Sequence, residues 1–437
     1  MVDLTVELAG LKLKNPIIAG AGPNTKNVSS SIDCMKGGFG AIVVRSLHIQ
    51  FLNQVRQPTR GFWRIYGTGK NFRKDLYSFM STGAPAQRIH KKVDPGFGGA
   101  SLFPTLDQYA EELRKIVRAA RGYDCAVIAS IGWCGSNLST EEVWKTEAKA
   151  MTYAGVDAIQ LHTAPSPATE PGRFLTKDPQ KHMEMPIRFT KEATHLPVFA
   201  KIPVDCCDPV LIASVAQKAG ADGVVPVTRW LSIPIDIDQM QDPVWRGPGI
   251  GGPWSVPIMN GLIFRFRNAR QPISSIYREA SKEEFTDNVP ITVPIIASGG
   301  VRSGADVIGY IAAGANAAEI CAQVLLEGPA MAKRVEEEMR TWMAGKGYKR
   351  LSEFQGILKL MEHSRAREMI PQWQPVVDKE LCNACGTCVK ACANVAISLR
   401  DNAARVDDEY CEGCRTCYYV CPQEAISLNP SAEAAGA

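Results

Sequence analysis

Ala154-Gly155-Val156-Asp157-Ala158-Ile159-Gln160-Leu161-His162 and Ala219-Gly220-Ala221-Asp222-Gly223-Val224-Val225-Pro226-Val227-Thr228 open with the same phrase, Ala-Gly-Val/Ala-Asp. Each phrase closes an amphipathic segment, Glu141–Ala154 in one case and Pro209–Ala219 in the other. A glycine just past the last periodic residue is how helices commonly stop. The run after each phrase is short, apolar and partly β-branched, as a strand buried on both faces should be. The phrase reads as a helix-to-strand turn used twice.

The same rhythm extends in both directions. Strand candidates are Pro16–Gly20, Ala41–Arg45, Ala126–Ile131, Val156–His162, Val198–Ile202, Gly223–Thr228, Pro294–Ser298 and Ala318–Cys321. A third helical segment, Ala305–Ala313, ends at Gly314. Eight such strands predict an α/β fold, a (β/α)₈ TIM barrel over residues 1–345. A doubly wound open sheet is the alternative, and it usually needs fewer strands.

Two insertions interrupt the pattern, each after the C-terminal end of a strand, where barrel active sites are built. Residues 51–92 carry Arg56, Arg60, Arg64, Lys70, Arg73, Lys74, Arg88, Lys91 and Lys92 against a single acid, Asp75. Residues 229–270 hold Trp230, Trp245 and Trp254 among Arg229, Arg246, Arg265, Arg267 and Arg270. A helical segment and proline-bearing linker is expected over 346–375, a second domain over 376–430 and a disordered small-residue tail over 431–437.

Composition narrows the class. A hydrophobic fraction of 45% and a charged fraction of 22% are ordinary for a globular protein. No apolar run approaches the length of a membrane span, and Met1-Val2-Asp3-Leu4 does not begin a secretory signal. A formal charge of +4 is too small to argue for nucleic acid. Of 14 cysteines, eight lie between Cys382 and Cys421. Such crowding argues for metal-bound thiolates in a reducing, cytoplasmic setting rather than for disulfides.

Cys382, Cys385, Cys388 and Cys392 are spaced x₂, x₂, x₃, and Cys411, Cys414, Cys417 and Cys421 repeat the spacing before Pro422. Short spacing sets three thiolates round one face of a cubane, and a distant fourth closes it. Zinc also uses x₂ pairs, but two complete runs argue against it. Val395-Ala396-Ile397-Ser398-Leu399 is echoed by Glu424-Ala425-Ile426-Ser427-Leu428. The duplication resembles a bacterial-type ferredoxin with two [4Fe–4S] clusters, an α+β domain. In that type the fourth cysteine crosses over. One cluster then takes Cys382, Cys385, Cys388 and Cys421, and the other takes Cys411, Cys414, Cys417 and Cys392.

In the barrel, Lys201 stands at a strand tip in Phe199-Ala200-Lys201-Ile202-Pro203, a lone charge after an apolar approach. Ala297-Ser298-Gly299-Gly300-Val301 and Ile320-Cys321-Ala322 end the last two strands. Glycines and free N–H groups there suit a phosphate, and beside two iron–sulfur clusters they point to FMN. These motifs, with Asp3-Leu4-Thr5-Val6-Glu7-Leu8-Ala9-Gly10 through Asn15-Pro16 and Ile128-Ala129-Ser130-Ile131, resemble the class 1 dihydroorotate dehydrogenases. With its cysteine module the whole chain resembles, more closely, the pyrimidine-reducing half of the dihydropyrimidine dehydrogenases.

The resemblance implies that Gly20, Ala21, Ser46, Gly252, Gly299, Gly300, Cys321 and Ala322 contact FMN. It sets Lys201 against the flavin's N1 and C2 oxygen, where a positive charge favours the reduced form. Arg45, His162 and Thr228 occupy positions that touch flavin or substrate. Departures cluster at the reacting end. Arg45-Ser46 stands where the family has a lysine, and His162-Thr163-Ala164-Pro165 replaces an asparagine motif. The loop before Asp178-Pro179 reads Gly172-Arg173-Phe174-Leu175-Thr176-Lys177, without the proton-donating cysteine of the pyrimidine enzymes. Thr228-Arg229 replaces an amide-bearing pair.

The expected activity is an iron–sulfur flavoprotein oxidoreductase acting on an activated C=C bond, with substrates other than simple pyrimidines. His162, Lys201 and Arg45 are its candidate catalytic residues, and Cys134 and Cys206-Cys207 are lesser ones. A dihydropyrimidine dehydrogenase subunit and a non-catalytic electron relay are the alternatives. No Gly-x-Gly-x-x-Gly opens a βαβ unit, so a separate flavoprotein reductase subunit or ferredoxin is expected to exchange electrons, in a homo- or hetero-oligomer.

Overall fold

The computed structural model describes residues 2–47, 63–64, 79–81, 106–132, 141–162, 179–204, 208–226, 230–231, 238, 240, 249–269, 289–359 and 373–430. The chain divides into two compact units, Met1–Leu358 and Lys359–Ala437.

Ala9 and Gly10 both take positive φ, 50° and 88°, and turn strand β1 (Val6–Leu8) into β2 (Leu11–Leu13). Strand β3 (Ile17–Ala19), helix α1 (Val28–Gly37) and strand β4 (Ala41–Leu47) come next. Two short strands, β5 (Trp63–Arg64) and β6 (Phe79–Ser81), lie within the first insertion. The chain continues through α2 (Leu106–Ala120), β7 (Ala126–Gly132), α3 (Glu141–Ala154), β8 (Ala158–His162), α4 (Pro179–Ala193) and β9 (Val198–Ile202). After α5 (Pro209–Lys218) and β10 (Gly223–Pro226) come β11 (Trp230–Leu231), β12 (Gly249–Gly251) and α6 (Val256–Arg267). The unit finishes with β13 (Ile296–Ser298), α7 (Gly304–Ala313), β14 (Ala317–Ile320), α8 (Ala322–Glu327) and α9 (Met331–Lys346).

Eight strands pair in the order β10-β9-β8-β7-β4-β3-β14-β13, every pair parallel. A parallel bridge between Val224 and Ile295 joins the two ends, so the sheet closes on itself as a TIM-type barrel. Gly155, Gly220 and Gly314 take φ of 78°, 96° and 122°, the left-handed turns that the repeated phrase predicts. The hairpin seals one end of the barrel. Leu8 and Leu13 are fully buried against Ile18, Val43, Ile128, Phe199 and Ile296, all from the strands' N-terminal halves.

The two insertions meet. β6 from the first pairs antiparallel with β12 from the second, in a four-stranded sheet ordered β11-β12-β6-β5. The second insertion is also shorter than its sequence suggests, because residues from Val256 onward form α6, which packs against the neighbouring α7 and β13. Arg267 is structural: its guanidinium donates to the carbonyls of Gly314 (2.9 Å), Ile291 (2.6 Å) and Val293 (3.0 Å) and to Asn316 Oδ1 (2.9 Å). Burial pulls its pKa down to about 10.

The barrel unit runs past residue 345 to Leu358, because Leu351 and Phe354 are buried in its core and Leu358 N–H bonds to Ala312 O. The second unit contains β15 (Trp373–Val377), helix α10 (Thr387–Ala391), β16 (Ile397–Arg400), β17 (Ala403–Val406), helix α11 (Thr416–Val420) and β18 (Ile426–Pro430). β15 pairs with β18, so Trp373, Gln374 and Pro375 belong to the sheet of this unit. Its halves repeat each other's backbone. Ala384 and Gly413, Gly386 and Arg415, and Val395 and Glu424 take matching positive φ. Arg415 keeps that strained conformation with its guanidinium 5.0 Å from the centre of the Trp373 ring.

Candidate active site and cluster cavity

Alternation along a strand decides which side chains enter the barrel. Ile18, Val43, Ile128, Ala158, Phe199, Ile296 and Ala317 form one buried layer with the hairpin. Two residues further along the same phase are Gly20, Arg45, Ser130, Gln160, Lys201, Ser298 and Glu319. The layer nearer the strands' C-terminal ends is therefore polar, and His162 and Cys321 stand above it in the same phase. An apolar floor under a polar layer is the arrangement of a barrel whose working face is at the strand C-termini.

Three of these side chains meet across the lumen. The Gln160 amide donates to Glu319 Oε1, and Lys201 Nζ lies 3.5 Å from Glu319 Oε2. The Lys201 and Glu319 side chains are 12% and 3% exposed. Glu319 and Gln160 escaped the sequence reading. The available signal was a polar residue at an inward position in an otherwise apolar strand. Burial pushes the Cys321 thiol up to about 11; Lys201 pulls it down, Glu319 pushes it up, and Arg45 pulls it down again. Burial also lowers the Arg45 guanidinium below its ordinary value, with Cys321 opposing.

Loops from adjacent strands close round this layer. Gly299 and Gly300 after β13 have φ of 99° and 70°. A Cβ on Gly300 would stand 2.8 Å from the Gly252 carbonyl oxygen and 2.9 Å from Ser255 Oγ. Tyr310 Oη donates to Gly299 O at 2.6 Å and Ser255 Oγ to Gly252 O at 2.7 Å, which fix both turns. Gly20 N–H bonds to Ile320 O, and Gly22 packs against Cys321, whose Sγ lies 3.3 Å from Asn24 Oδ1. These close approaches leave no room for a side chain at Gly22 or Gly300, and glycine turns of this kind after the last barrel strands would suit the phosphate end of FMN. Gly300→Ala, strained at positive φ and meeting backbone oxygen, is expected to cost about 1–3 kcal/mol. Thermal unfolding and retained flavin measure it; an unchanged melting temperature would mean that the two turns are not held together.

His162 is half-buried at the tip of β8, level with Gly132 in the β7–β8 register. Ala21 lies within the Gly20–Gly22 turn, and Ala322 follows Cys321. Thr228, Cys134, Cys206, Cys207, the 163–178 loop and the side chain of Ser46 lie outside the described residues. Trp230 and Trp254 have ring centroids 5.0 Å apart at 42°. Trp245 and most of residues 51–92 are likewise outside the description.

In the second unit, Cys382, Cys385, Cys388 and Cys421 line one pocket, with Pro422 and Ile426 among the other walls. Three thiols come from the first run and one from the end of the second. Backbone N–H groups point at sulfur in matching places: Ala396 to Cys392 (3.2 Å), Ala425 to Cys421 (3.3 Å), and also Ala404 to Cys382 (3.4 Å). Thr387 and Thr416 hydrogen-bond Cys385 and Cys414 and hold those thiols below their ordinary pKa. Among the described residues, no three His, Cys, Asp or Glu side chains close on a single ion.

Residues 281–343 match the Dihydroorotate dehydrogenase family and residues 374–422 the 4Fe-4S dicluster domain. Dihydroorotate dehydrogenase B (NAD(+)), catalytic subunit, of Methanocaldococcus jannaschii is 26% identical over 340 residues, 78% of this chain and 93% of that one. Dihydroorotate dehydrogenase A (fumarate) of Limosilactobacillus reuteri is 24% identical over 351 residues, 80% of this chain and 96% of its own. The crystal structure of DHODH in complex with ferulenol from Eimeria tenella shares the fold, with a TM-score of 0.55, 20% identity, and coverage of 81% and 88%. The barrel is dihydroorotate dehydrogenase-like. The chain is thus a dihydroorotate dehydrogenase-like oxidoreductase with a 4Fe-4S domain. Among the described residues, no helix is long and apolar enough to cross a membrane.

Proposed function

We propose that this chain is the flavin-bearing subunit of an iron–sulfur oxidoreductase acting on an activated C=C bond. The observation that carries the reading is a dihydroorotate dehydrogenase-like barrel, its mouth holding Lys201, Arg45 and the glycine turns, in one chain with a dicluster domain. FMN, when bound, would supply hydride exchange with the substrate. The two [4Fe–4S] clusters would supply one-electron relay to a partner, a flavoprotein reductase subunit or a ferredoxin. Cys382, Cys385, Cys388 and Cys421 would hold one cluster, and Cys411, Cys414, Cys417 and Cys392 the other.

Within the barrel, Gly299, Gly300, Gly252, Cys321 and Ala322 would grip the phosphate, and Gly20, Ala21, Ser46 and Thr228 the rest of the cofactor. Lys201 would set a positive charge against the ring. Arg45 presents a planar guanidinium suited to bidentate hold on a substrate carboxylate or on flavin. His162 would donate a proton from its imidazole to the substrate carbon. The missing thiol in residues 172–177 and the Thr228-Arg229 pair argue for an unsaturated substrate other than a simple pyrimidine, such as a cyclic enone, an aromatic-derived acid or a coenzyme A thioester.

Anaerobically purified protein is expected to release one FMN on denaturation and to contain about eight iron and eight sulfide per chain. The reduced protein, mixed with such compounds and with uracil as a separate arm, should reoxidise with one of them. FAD as the only flavin, or zinc in place of iron, would overturn the cofactor reading. Reoxidation by uracil alone would favour a dihydropyrimidine dehydrogenase subunit.

A further inference from the structure

Glu319 is a carboxylate in a place that ordinarily excludes one. It projects from β14 into the barrel with 3% of its side chain exposed, and an ionised group so enclosed needs partners. It has two from the opposite wall: the Gln160 amide on one oxygen and Lys201 Nζ, at 3.5 Å, on the other. An ionised carboxylate only accepts hydrogen bonds, and a donating amide and an ammonium are what it meets here. The Glu319 oxygen facing Lys201 also faces the β3 turn, 3.4 Å from where a Gly20 Cβ would stand. The pair therefore lies against the glycine turn that borders the proposed flavin.

We infer that Glu319 is a positioning residue that offsets the charge of Lys201 and thereby sets the reduction potential of the flavin; this rests on the FMN reading above. Lys201 alone would favour reduction, because reduction adds negative charge to the ring. A carboxylate 3.5 Å from the ammonium cancels part of that field and fixes the ammonium's location. The flavin is held at a lower potential, as a stronger reductant, than a lone lysine would allow. With Lys201 removed, Glu319 keeps the Gln160 amide but has no ammonium whose field it could offset or whose place it could fix. Glu319 therefore acts only while Lys201 is present.

The test is a spectroelectrochemical titration of flavin in the FMN-loaded full chain. Glu319→Gln, which keeps shape and removes charge, is expected to favour the reduced form about tenfold, a rise of about 30 mV for a two-electron couple. Lys201→Met should shift the equilibrium the other way. Adding Glu319→Gln to Lys201→Met should then change it by less than half as much as in the parent protein. Equal shifts in both backgrounds, or none in the parent, overturn the inference while leaving bound FMN intact. Wild-type protein that carries no FMN overturns the underlying reading as well. If Glu319→Gln loads too little flavin to titrate, Glu319→Asp, which draws the charge back by one methylene, should raise the potential by less. No rise in that variant counts against the proposal.

Discussion

Turnover of an unsaturated substrate should fall about 10²–10⁴-fold in His162→Asn, the range that a well-placed acid contributes, while FMN stays bound. Imidazole ordinarily titrates near neutrality, which makes it an efficient proton donor at working pH. His162 continues the inward phase of β8, two residues beyond the Gln160 that reaches Glu319. Cys321, a rival in the described mouth, is a weaker acid. Its thiol is pushed up to about 11 by burial, so it holds its proton too tightly at neutral pH. Reduction of flavin by the electron partner should be unchanged in the variant, since it involves no substrate. Wild-type turnover by His162→Asn would assign the proton to Thr163, Cys134 or ordered water.

Cys392→Ser should cut iron from about eight to about four atoms per chain and remove the cluster bound by Cys411, Cys414 and Cys417. The reasoning comes from the opposite half of the module. Cys421 ends the second run, yet it lines the cavity formed by Cys382, Cys385 and Cys388. Cys392 is its counterpart in the first run. Each is the C-cap of a five-residue helix, and each accepts a hydrogen bond from the N–H four residues on. Equivalent local structure is expected to send Cys392 to the partner half as well. Spectra of the remaining cluster, compared with those of Cys421→Ser, would tell the two apart. Loss of the Cys382 cluster alone in Cys392→Ser would refute the crossover.

The barrel strands were legible because a parallel sheet buried on both faces writes continuous apolar runs, and left-handed turns call for glycine at 155, 220 and 314. The cysteine module was legible because cluster ligation fixes spacing. Glu319 and Gln160 were not, since their partners lie on opposite walls and 159 positions apart in sequence. Arg267 looked like part of a ligand-binding segment because sequence cannot distinguish an arginine facing a ligand from one holding backbone and side-chain oxygens. The pairing of β6 with β12 was hidden for a similar reason: each strand is only three residues long, too short to show a period.

The N-terminal hairpin makes the barrel a cul-de-sac. With Leu8 and Leu13 stoppering one end, any diffusing molecule that reaches the Lys201–Glu319 layer must leave by the route it took in. Substrate and product then queue at a single door, and the second cannot arrive until the first has gone. A soluble electron donor that had to touch the flavin directly would stand in the same queue and compete with substrate. Electrons delivered by the proposed iron–sulfur relay would need no such door, so substrate would not have to compete with the electron donor.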